Sequence, residues 1–272
     1  MTGSVSDLLA KTVASHIPDI GWQSYGSIPD VMPQIQAGTV HLWRSPLSVS
    51  ADWLAHHQLM LSRDEQERAA RFKFDHHRQR FIAARCRLRQ LLAAYLAIAP
   101  DQIQFCYGSH GKPLLAPATD SLQPGLSFNL THTDDWALYA FTLGCAIGVD
   151  IERVRPMPDG LRIAQRFFTP AEAEAIAQYP AAKHADAFFT LWTLKEAYLK
   201  AKGEGLVGLQ SANLVSAISA SNLASNLASN PLATWTIQSF IPISGYQGAI
   251  AYNGGEAQLN GFALDTAIRE RD

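Results

Sequence analysis

The sequence holds little cysteine and no long hydrophobic run, and both shortages exclude whole classes of protein. Its three cysteines, Cys86, Cys106 and Cys145, lie far apart and form no C-x-x-C pair. This argues against a disulfide scaffold and a zinc site and favours a reducing compartment. The longest apolar-rich stretch, 137–149, is shorter than the roughly 20 residues that a membrane-spanning helix needs. The first residues show no basic segment followed by an apolar run, so we expect no signal peptide, no membrane attachment and a cytoplasmic protein.

Net charge is also low, and two common enzyme motifs are missing. The formal net charge of -2 gives no general attraction for nucleic acid or anionic lipid. The sequence has no P-loop and no G-x-S-x-G nucleophile elbow. The charge that is present is uneven, because the segment 63–89 holds nine Lys or Arg and four Asp or Glu. Such a local field suits a small polyanion or a patch of nucleic acid, although a solvated helix face with ion pairs would have the same composition.

Helix signals occur twice in the same order. Ser62 followed by Glu65 predicts a capping box that opens a short helix through 70, and the apolar spacing of 78–97 predicts a long helix that ends at Pro100. In the second half, Thr169-Pro170-Ala171-Glu172 predicts another capped start, and a long helix over 185–201 is predicted to stop at the glycines 203 and 205. Alternating apolar residues predict strands at 40–44, 103–105, 126–130, 136–143, 146–151, 234–240 and 247–252.

This repeated order favours an α+β fold with a pseudo-twofold duplication. Each of two similar halves is expected to be a small antiparallel sheet packed against a long helix. We expect an extended N-terminal segment over 1–37, an N-terminal half over 38–143 and a C-terminal half over 144–272. The polar, repetitive tract 221–230 is expected to be a surface loop.

Three carboxylates are candidates for a cation site. In the predicted strand 146–151 and its continuation, Asp150 and Glu152 point to one face, about 7 Å apart, and could hold a hard cation such as Mg²⁺. A half-exposed strand with ordinary polar residues would give the same D-x-E pattern. On the second long helix, Trp192, Glu196 and Lys200 share one face. Glu196 and Lys200 suit a simple surface ion pair, but Glu196 could also be a third cation ligand and Lys200 could hold or protonate a phosphate.

Two further short motifs carry polar groups. Gly111-Lys112-Pro113 places a lysine on a rigid turn, where it could meet a phosphate, although such a tripeptide is common in loops. Thr131-His132-Thr133 places a histidine between two hydroxyls, an arrangement that is also frequent for structural residues. Each motif alone is weak evidence for a site.

Taken in order, the motifs resemble the 4′-phosphopantetheinyl transferases of the surfactin-synthetase-activating (Sfp) type. The likeness spans about 40–206, and G-x-D-x-E followed by W-x-x-K-E-x-x-x-K is specific in this order. The segments that carry it are 68–72, 80–85, Gly111-Lys112-Pro113, 128–132, 148–152, 166–172 and 192–200.

The resemblance implies an enzyme that transfers the 4′-phosphopantetheine group from coenzyme A to a serine of an apo acyl or peptidyl carrier protein. It implies dependence on Mg²⁺, with Mn²⁺ as an alternative, release of adenosine 3′,5′-bisphosphate, and a monomer that binds coenzyme A between its halves. The implied metal ligands are Asp150, Glu152 and Glu196. The implied coenzyme A contacts are Arg68, Arg80, Lys112, Thr131, His132, Asp150 and Lys200. Chemistry then suggests Glu196 as the base and Lys200 as the acid or electrostatic clamp.

Two departures and two rival functions accompany this interpretation. Thr131 and Thr133 replace the serines of the family's S-H-S, and Glu65 stands where some relatives have a phosphate-binding lysine. The basic segment 63–89 is expected to face the coenzyme.

A degenerate homologue that only binds, and a Mg²⁺-dependent nuclease, remain alternatives. The intact carboxylates disfavour the first, and the single basic segment disfavours the second, so no nucleic-acid partner is expected.

Overall fold

The computed structural model describes residues 20–29, 31–205, 208–210, 214, 235–255 and 257–264, so the tract 221–230 lies outside the described residues. The helices are α1 Ala51–His57, α2 Arg63–Ala70, α3 Asp75–Leu96, α4 Pro117–Asp120, α5 Gly160–Phe167, α6 Pro170–Ala177 and α7 His184–Lys202. The strands are β1 Gln23–Tyr25, β2 Thr39–Pro46, β3 Phe105–Tyr107, β4 Pro113–Leu115, β5 Leu126–Thr133, β6 Trp136–Leu143, β7 Ile147–Arg153, β8 Trp235–Phe240, β9 Tyr246–Asn253 and β10 Gln258–Leu264. In this part of the chain, every helix is too short or too polar to span a bilayer.

The strands form two sheets and a hairpin. The first sheet has the order β1-β10-β2-β6-β5, the second has the order β7-β9-β8, and β3 pairs with β4. The second sheet is antiparallel, whereas β10 runs parallel to both β1 and β2. The first sheet is therefore mixed, and the expectation of a purely antiparallel sheet is wrong for this half.

The two sheets pack face to face, and each carries a long helix on its outer face. In the first sheet, Trp43, Tyr139 and Phe141 pack towards α3, while the residues between them on the strands face the second sheet. In β7, Val149 and Ile151 belong to that shared core. Because side chains alternate along a strand, Gly148, Asp150 and Glu152 point the other way, towards α7. The layers thus aim the two candidate carboxylates of β7 at the second long helix.

The capped helix starts are confirmed in both halves, and both use their glutamate in the same manner. Glu65 accepts a hydrogen bond from the backbone N–H of Ser62 at 3.0 Å, and its buried carboxylate pairs with Arg85 and Arg89 of α3 at 2.6 and 2.7 Å. Glu172 accepts from the Thr169 N–H at 2.9 Å and pairs with a lysine of α7, Lys195, at 2.8 Å. The pairing at Glu65 explains why this residue cannot serve as a ligand contact. The shared device supports the predicted duplication, which remains a prediction.

The α+β class and the long helices are confirmed, while three strands were not predicted. The helix predicted over 78–97 spans Asp75–Leu96, and its end is a left-handed Ala97 with φ of 53° three residues before the proline. The strand predicted at 103–105 is observed at Phe105–Tyr107, and β1, β4 and β10 were missed. Since β10 lies in the second predicted half but pairs with β2 of the first, the second half contributes one strand to the first sheet. The division at 143 and 144 stays a prediction.

Candidate active site

A cleft of about 430 Å³ collects most of the candidate residues. It lies where α2, α3, the β3–β4 turn, β5 and α7 meet. Six residues proposed from sequence line it, namely Arg68, Lys112, Thr131, His132, Glu196 and Lys200. Asp150 lies behind this wall, Glu152 follows it on β7, and Arg80 is turned to Asp135 at 2.8 Å. The structure thus brings most of the predicted set to one place.

The edge strands of the two sheets meet along one side of the cleft through side-chain bonds. Asn129 of β5 accepts a hydrogen bond from the Val149 N–H at 2.9 Å. Thr131, also on β5, donates to Asp150 Oδ1 at 3.0 Å, and Thr133 donates to Glu152 Oε2 at 3.4 Å. These three alternate residues of β5 replace a backbone ladder and fix the carboxylates of β7 against the first half.

Helix α7 supplies two further side chains to this side of the site. Lys200 Nζ donates to Asp150 Oδ1 at 2.6 Å and to Thr131 Oγ1 at 3.1 Å. Glu196 is one turn earlier on the same face, as the i,i+4 spacing predicts. Asp150 of the strand and Glu196 and Lys200 of a distant helix therefore lie near one another, whereas the predicted convergence of Asp150, Glu152 and Glu196 on one cation stays a prediction.

Burial makes the carboxylates of this site difficult to ionise. Loss of water raises the pKa of Asp150, against the lowering effect of Lys200. Burial first, and then the charge of Asp150, raise the pKa of Glu152 to about 7. Burial likewise raises the pKa of Glu196, with Lys200 lowering it and Asp150 raising it. A bound cation would lower the free energy of ionising these three carboxylates.

The residues fit a hard cation in their chemistry, although they are not yet arranged as a cage. Asp150 Oδ2 and Glu196 Oε1 are buried and have no hydrogen-bond partner among the described residues. Buried unpaired carboxylate oxygens are costly and suit a metal ligand role. Among these same residues, no group of three His, Cys, Asp or Glu is positioned to hold a metal ion. At Asp150, the Lys200 ammonium lies 2.6 Å from Oδ1, so it would compete with a cation for that oxygen.

The opposite wall of the cleft is basic and aromatic. Exposed Arg68 lies 5.5 Å from the Phe81 ring centroid, and Arg85 also lines the cleft while it pairs with Glu65. His132 lines the cleft, but the protein around its ring displaces much of the water there. This desolvation, followed by the positive charges of Lys200, Arg80 and Arg68, lowers the pKa of His132. An anion bound here would relieve that repulsion.

The basic segment as a whole does not face the cleft, contrary to expectation. Arg85, Arg87 and Arg89 are buried, and Arg89 donates to the carbonyls of Pro100 and Ile103 at 2.9 and 3.0 Å. Of the nine Lys and Arg of this segment, only Arg68 and Arg85 line the cleft. The buried arginines that do not line the cleft therefore stabilise the fold of the first half and are not a surface for ligand binding.

The β3–β4 turn closes one end of the cleft. Gly111 has a φ of +76°, so the turn needs a residue without a side chain there. Lys112 follows it and donates to the carbonyls of Ile147 and Ala201 at 2.9 and 3.2 Å. Burial lowers the pKa of Lys112 to about 8. His110 Nδ1 lies 3.0 Å from the Gly203 carbonyl oxygen.

Sequence analysis did not identify two residues of the site, Asn129 and Arg85. It also overlooked a match to a nucleotide-binding motif that the structure shows to be accidental. Asn129 belongs to a motif identified from the sequence, but its hydrogen bond to β7 depends on tertiary packing. Arg85 is one of nine Lys and Arg in the basic segment, and nothing in the sequence distinguishes it from the others. The letters of 203–208 match G-x-G-x-x-G. They follow the end of α7 and not a strand, so they are not a dinucleotide-binding fingerprint.

Family models match both parts of the chain. Residues 146–251 match the model of the 4′-phosphopantetheinyl transferase superfamily. Residues 43–143 match the model described as 4′-phosphopantetheinyl transferase, N-terminal. Together these matches cover β7 and α7, which carry the carboxylates and Lys200, and the cleft walls of the first half.

Curated relatives agree with these models. The 4′-phosphopantetheinyl transferase HetI of Nostoc sp. is 44% identical over 171 residues, which are 63% of this chain and 71% of that protein. A putative 4′-phosphopantetheinyl transferase of Synechocystis sp. is 38% identical over 152 residues, 56% of this chain and 61% of the relative. The 4′-phosphopantetheinyl transferase Sfp of Bacillus subtilis is 28% identical over 146 residues, 54% of this chain and 62% of Sfp. With both halves matched and the site residues gathered at one cleft, the chain belongs to the 4′-phosphopantetheinyl transferase superfamily.

Proposed function

We propose that this chain transfers 4′-phosphopantetheine from coenzyme A to a serine of an apo acyl or peptidyl carrier protein, as an Sfp-type enzyme. The observation that carries the proposal is the junction of β7 and α7, where Lys200 Nζ lies 2.6 Å from Asp150 Oδ1 beside Glu196. Carboxylates and a lysine at the wall of a cleft with basic residues opposite suit a diphosphate. The names of the relatives support the same substrate class.

The transfer joins the serine Oγ to the phosphorus next to pantetheine and breaks that phosphorus's bond to the bridging oxygen. The serine proton goes to Glu196, directly or through a water, because its raised pKa brings the carboxylate nearer to the working pH of a general base. The electron pair leaves with adenosine 3′,5′-bisphosphate. Lys200 offsets the negative charge that develops on the departing phosphate.

A divalent cation, Mg²⁺ or Mn²⁺, is part of this proposal. Asp150, Glu152 and Glu196 would hold it, with the unpartnered oxygens of Asp150 and Glu196 as the strongest support. Bound there, it would supply positive charge to the diphosphate. Lys200 would then turn from Asp150 to the phosphate, which its partly exposed side chain allows.

The nucleotide end of coenzyme A is assigned to the basic wall. Arg68 and His132 are exposed in the cleft and are proposed to contact its phosphates, with Thr131 beside them. Arg80 would join them only by leaving Asp135. Arg85 is a candidate that was not expected from sequence.

We also propose a monomer that works in the cytoplasm and binds no nucleic acid or membrane. The cysteines support a reducing compartment, because Cys86, Cys106 and Cys145 are all free thiols in the structure. Burial of three arginines of the basic segment removes much of the surface that nucleic acid would need.

A transfer assay tests the function directly. The protein is incubated with coenzyme A, Mg²⁺ and a panel of fatty-acid, polyketide and peptide-synthetase apo-carriers, and intact mass spectrometry follows the carrier. The expected result is addition of one phosphopantetheine arm, lost with EDTA and lost when the acceptor serine of the carrier is alanine. No transfer to any carrier, together with no binding of coenzyme A by calorimetry, would refute the proposal.

A further inference from the structure

Lys112 makes two hydrogen bonds that the proposed transfer does not explain. Its Nζ donates to the carbonyl of Ile147, the first residue of β7, and to the carbonyl of Ala201, in the last turn of α7. Carbonyls in the last turn of a helix have no partner further along that helix. One ammonium from the first half thus ties a strand and a helix of the second half together.

The tie lies where the strand and the helix cross most closely. A side chain at Gly148 would overlap the backbone oxygen of Ala197 and the backbone nitrogen of Ala201. Backbone therefore packs directly on backbone at this point. Lys112 bonds Ile147, the residue before Gly148 on the strand, and Ala201, one of the helix residues at the contact. The crossing and the tie together set how far β7 slides along α7.

The reacting groups are close neighbours of this crossing. Asp150 is two residues beyond Gly148 on the same face of β7, and Lys200 directly precedes Ala201 on α7. Because the strand and the helix are rigid, their register at the crossing determines whether Asp150 meets Lys200. The observed 2.6 Å bond between them depends on that register.

We propose that Lys112 is a positioning residue for the transfer and acts by holding β7 and α7 in register, not by contacting coenzyme A. This inference rests on the proposed function. Two of the three N–H groups of Lys112 already serve backbone carbonyls. A lysine that held a phosphate would instead keep most of its N–H groups free for the ligand.

The test compares Lys112→Met with wild type in kcat and in the Kd for coenzyme A, measured by calorimetry without carrier. A shift in register should lower kcat about tenfold or more while Kd changes less than about threefold. Lys112→Gln keeps an amide donor without the charge, so its kcat should lie between those of Met and wild type. Lys202→Met is the matched control. Lys202 directly follows Ala201 on α7, but its ammonium pairs with Glu204 at 2.6 Å.

A weakened Kd with kcat preserved at saturating coenzyme A would overturn the inference, and so would unchanged values of both. If Lys112→Met does not fold, as thermal unfolding would show, Lys112→Gln carries the same comparison against wild type. Wild-type transfer in the same assay separates a failure of this inference from a failure of the proposed function. A loss of kcat in Lys202→Met as large as in Lys112→Met would also contradict it.

Discussion

Glu196 combines a half-buried side chain with an oxygen that has no partner among the described residues. Its Oε1 is free to take a proton or a cation ligand role, whereas Asp150 Oδ1 is already bonded to Lys200 and Thr131. Both carboxylates would contribute charge to the site, but only Glu196 lines the cleft itself. This difference makes Glu196 the sharper target for mutation.

Glu196→Gln should lower kcat by about 100-fold or more, because loss of a base or a cation ligand removes stabilisation made only in the transition state. The shape of the side chain is retained, so the thermal midpoint should stay close to wild type. Glu174→Gln, an exposed glutamate of α6, is the matched control. Retention of more than about a tenth of wild-type kcat would remove Glu196 from its role.

His41 gives a prediction for stability at low pH. It is buried in β2, its Nδ1 lies 2.8 Å from the hydroxyl of Tyr95, and burial lowers the pKa of His41 from 6.5 to about 4. The fold therefore holds the neutral ring, and the stability that depends on it is full above pH 6.5 and is lost as pH falls towards 4.

Between pH 7 and pH 5 this group alone should lower the free energy of unfolding by about 2 kcal/mol. Urea unfolding at the two pH values measures the difference, and His41→Gln should reduce it by that amount. The absolute stability of the variant is not the readout, since the substitution also changes packing. An equal pH dependence in wild type and variant would contradict the prediction.

At the scale of elements, the crossing of β7 and α7 explains why the site exists. Gly148 lets the strand lie directly on the helix, so that residues two positions along the strand reach the helix face. The D-x-E motif and the i,i+4 row on α7 could both be identified from sequence, because each depends only on local periodicity. That they meet depends on a backbone contact between residues far apart in the chain, which periodicity cannot show.

Gly148→Ala should therefore damage both stability and activity. The added methyl would meet backbone atoms that cannot turn aside, and we expect a loss of about 3 kcal/mol or more in unfolding free energy with a fall in kcat. Gly26→Ala is the control, since a methyl there meets open space. A Gly148→Ala variant with wild-type urea midpoint and kcat would show that the crossing is looser than described.

The strand β10 shows why part of the fold escaped prediction. Its polar Asn260 and its glycine at 261 weaken the alternating pattern, yet that glycine is required because a methyl there would overlap Ile20. The parallel pairing of β10 with β2 joins residues more than 200 positions apart, and no local sequence pattern predicts it. The hydrogen bonds of Lys112 and Asn129 escaped prediction for the same reason, because their partners belong to the other half.

At the scale of the whole molecule, the halves are joined by more than the cleft. Phe262 of β10 stacks on Trp43 of β2 with ring centroids 4.6 Å apart, and Phe262 and Leu264 are part of the first core. Arg44 of β2 donates to the carbonyl of Pro242 in the second half at 2.6 Å. Neither half is complete without residues from the other.

A fragment of residues 38–143 should therefore fail to fold alone. It lacks β1 and β10 and leaves one edge of β2 and the aromatic face of Trp43 uncovered. We expect no cooperative transition in its thermal unfolding followed by near-UV circular dichroism, whereas the whole chain should give one. A cooperative transition in the fragment would establish 38–143 as an independent domain.

The late position of β10 in the chain also has a consequence during translation. The ribosome releases β2 long before it makes β10, so a nascent chain carries an open, apolar strand edge for much of its synthesis. We therefore expect chaperone shielding of that edge to raise the yield of correctly assembled protein.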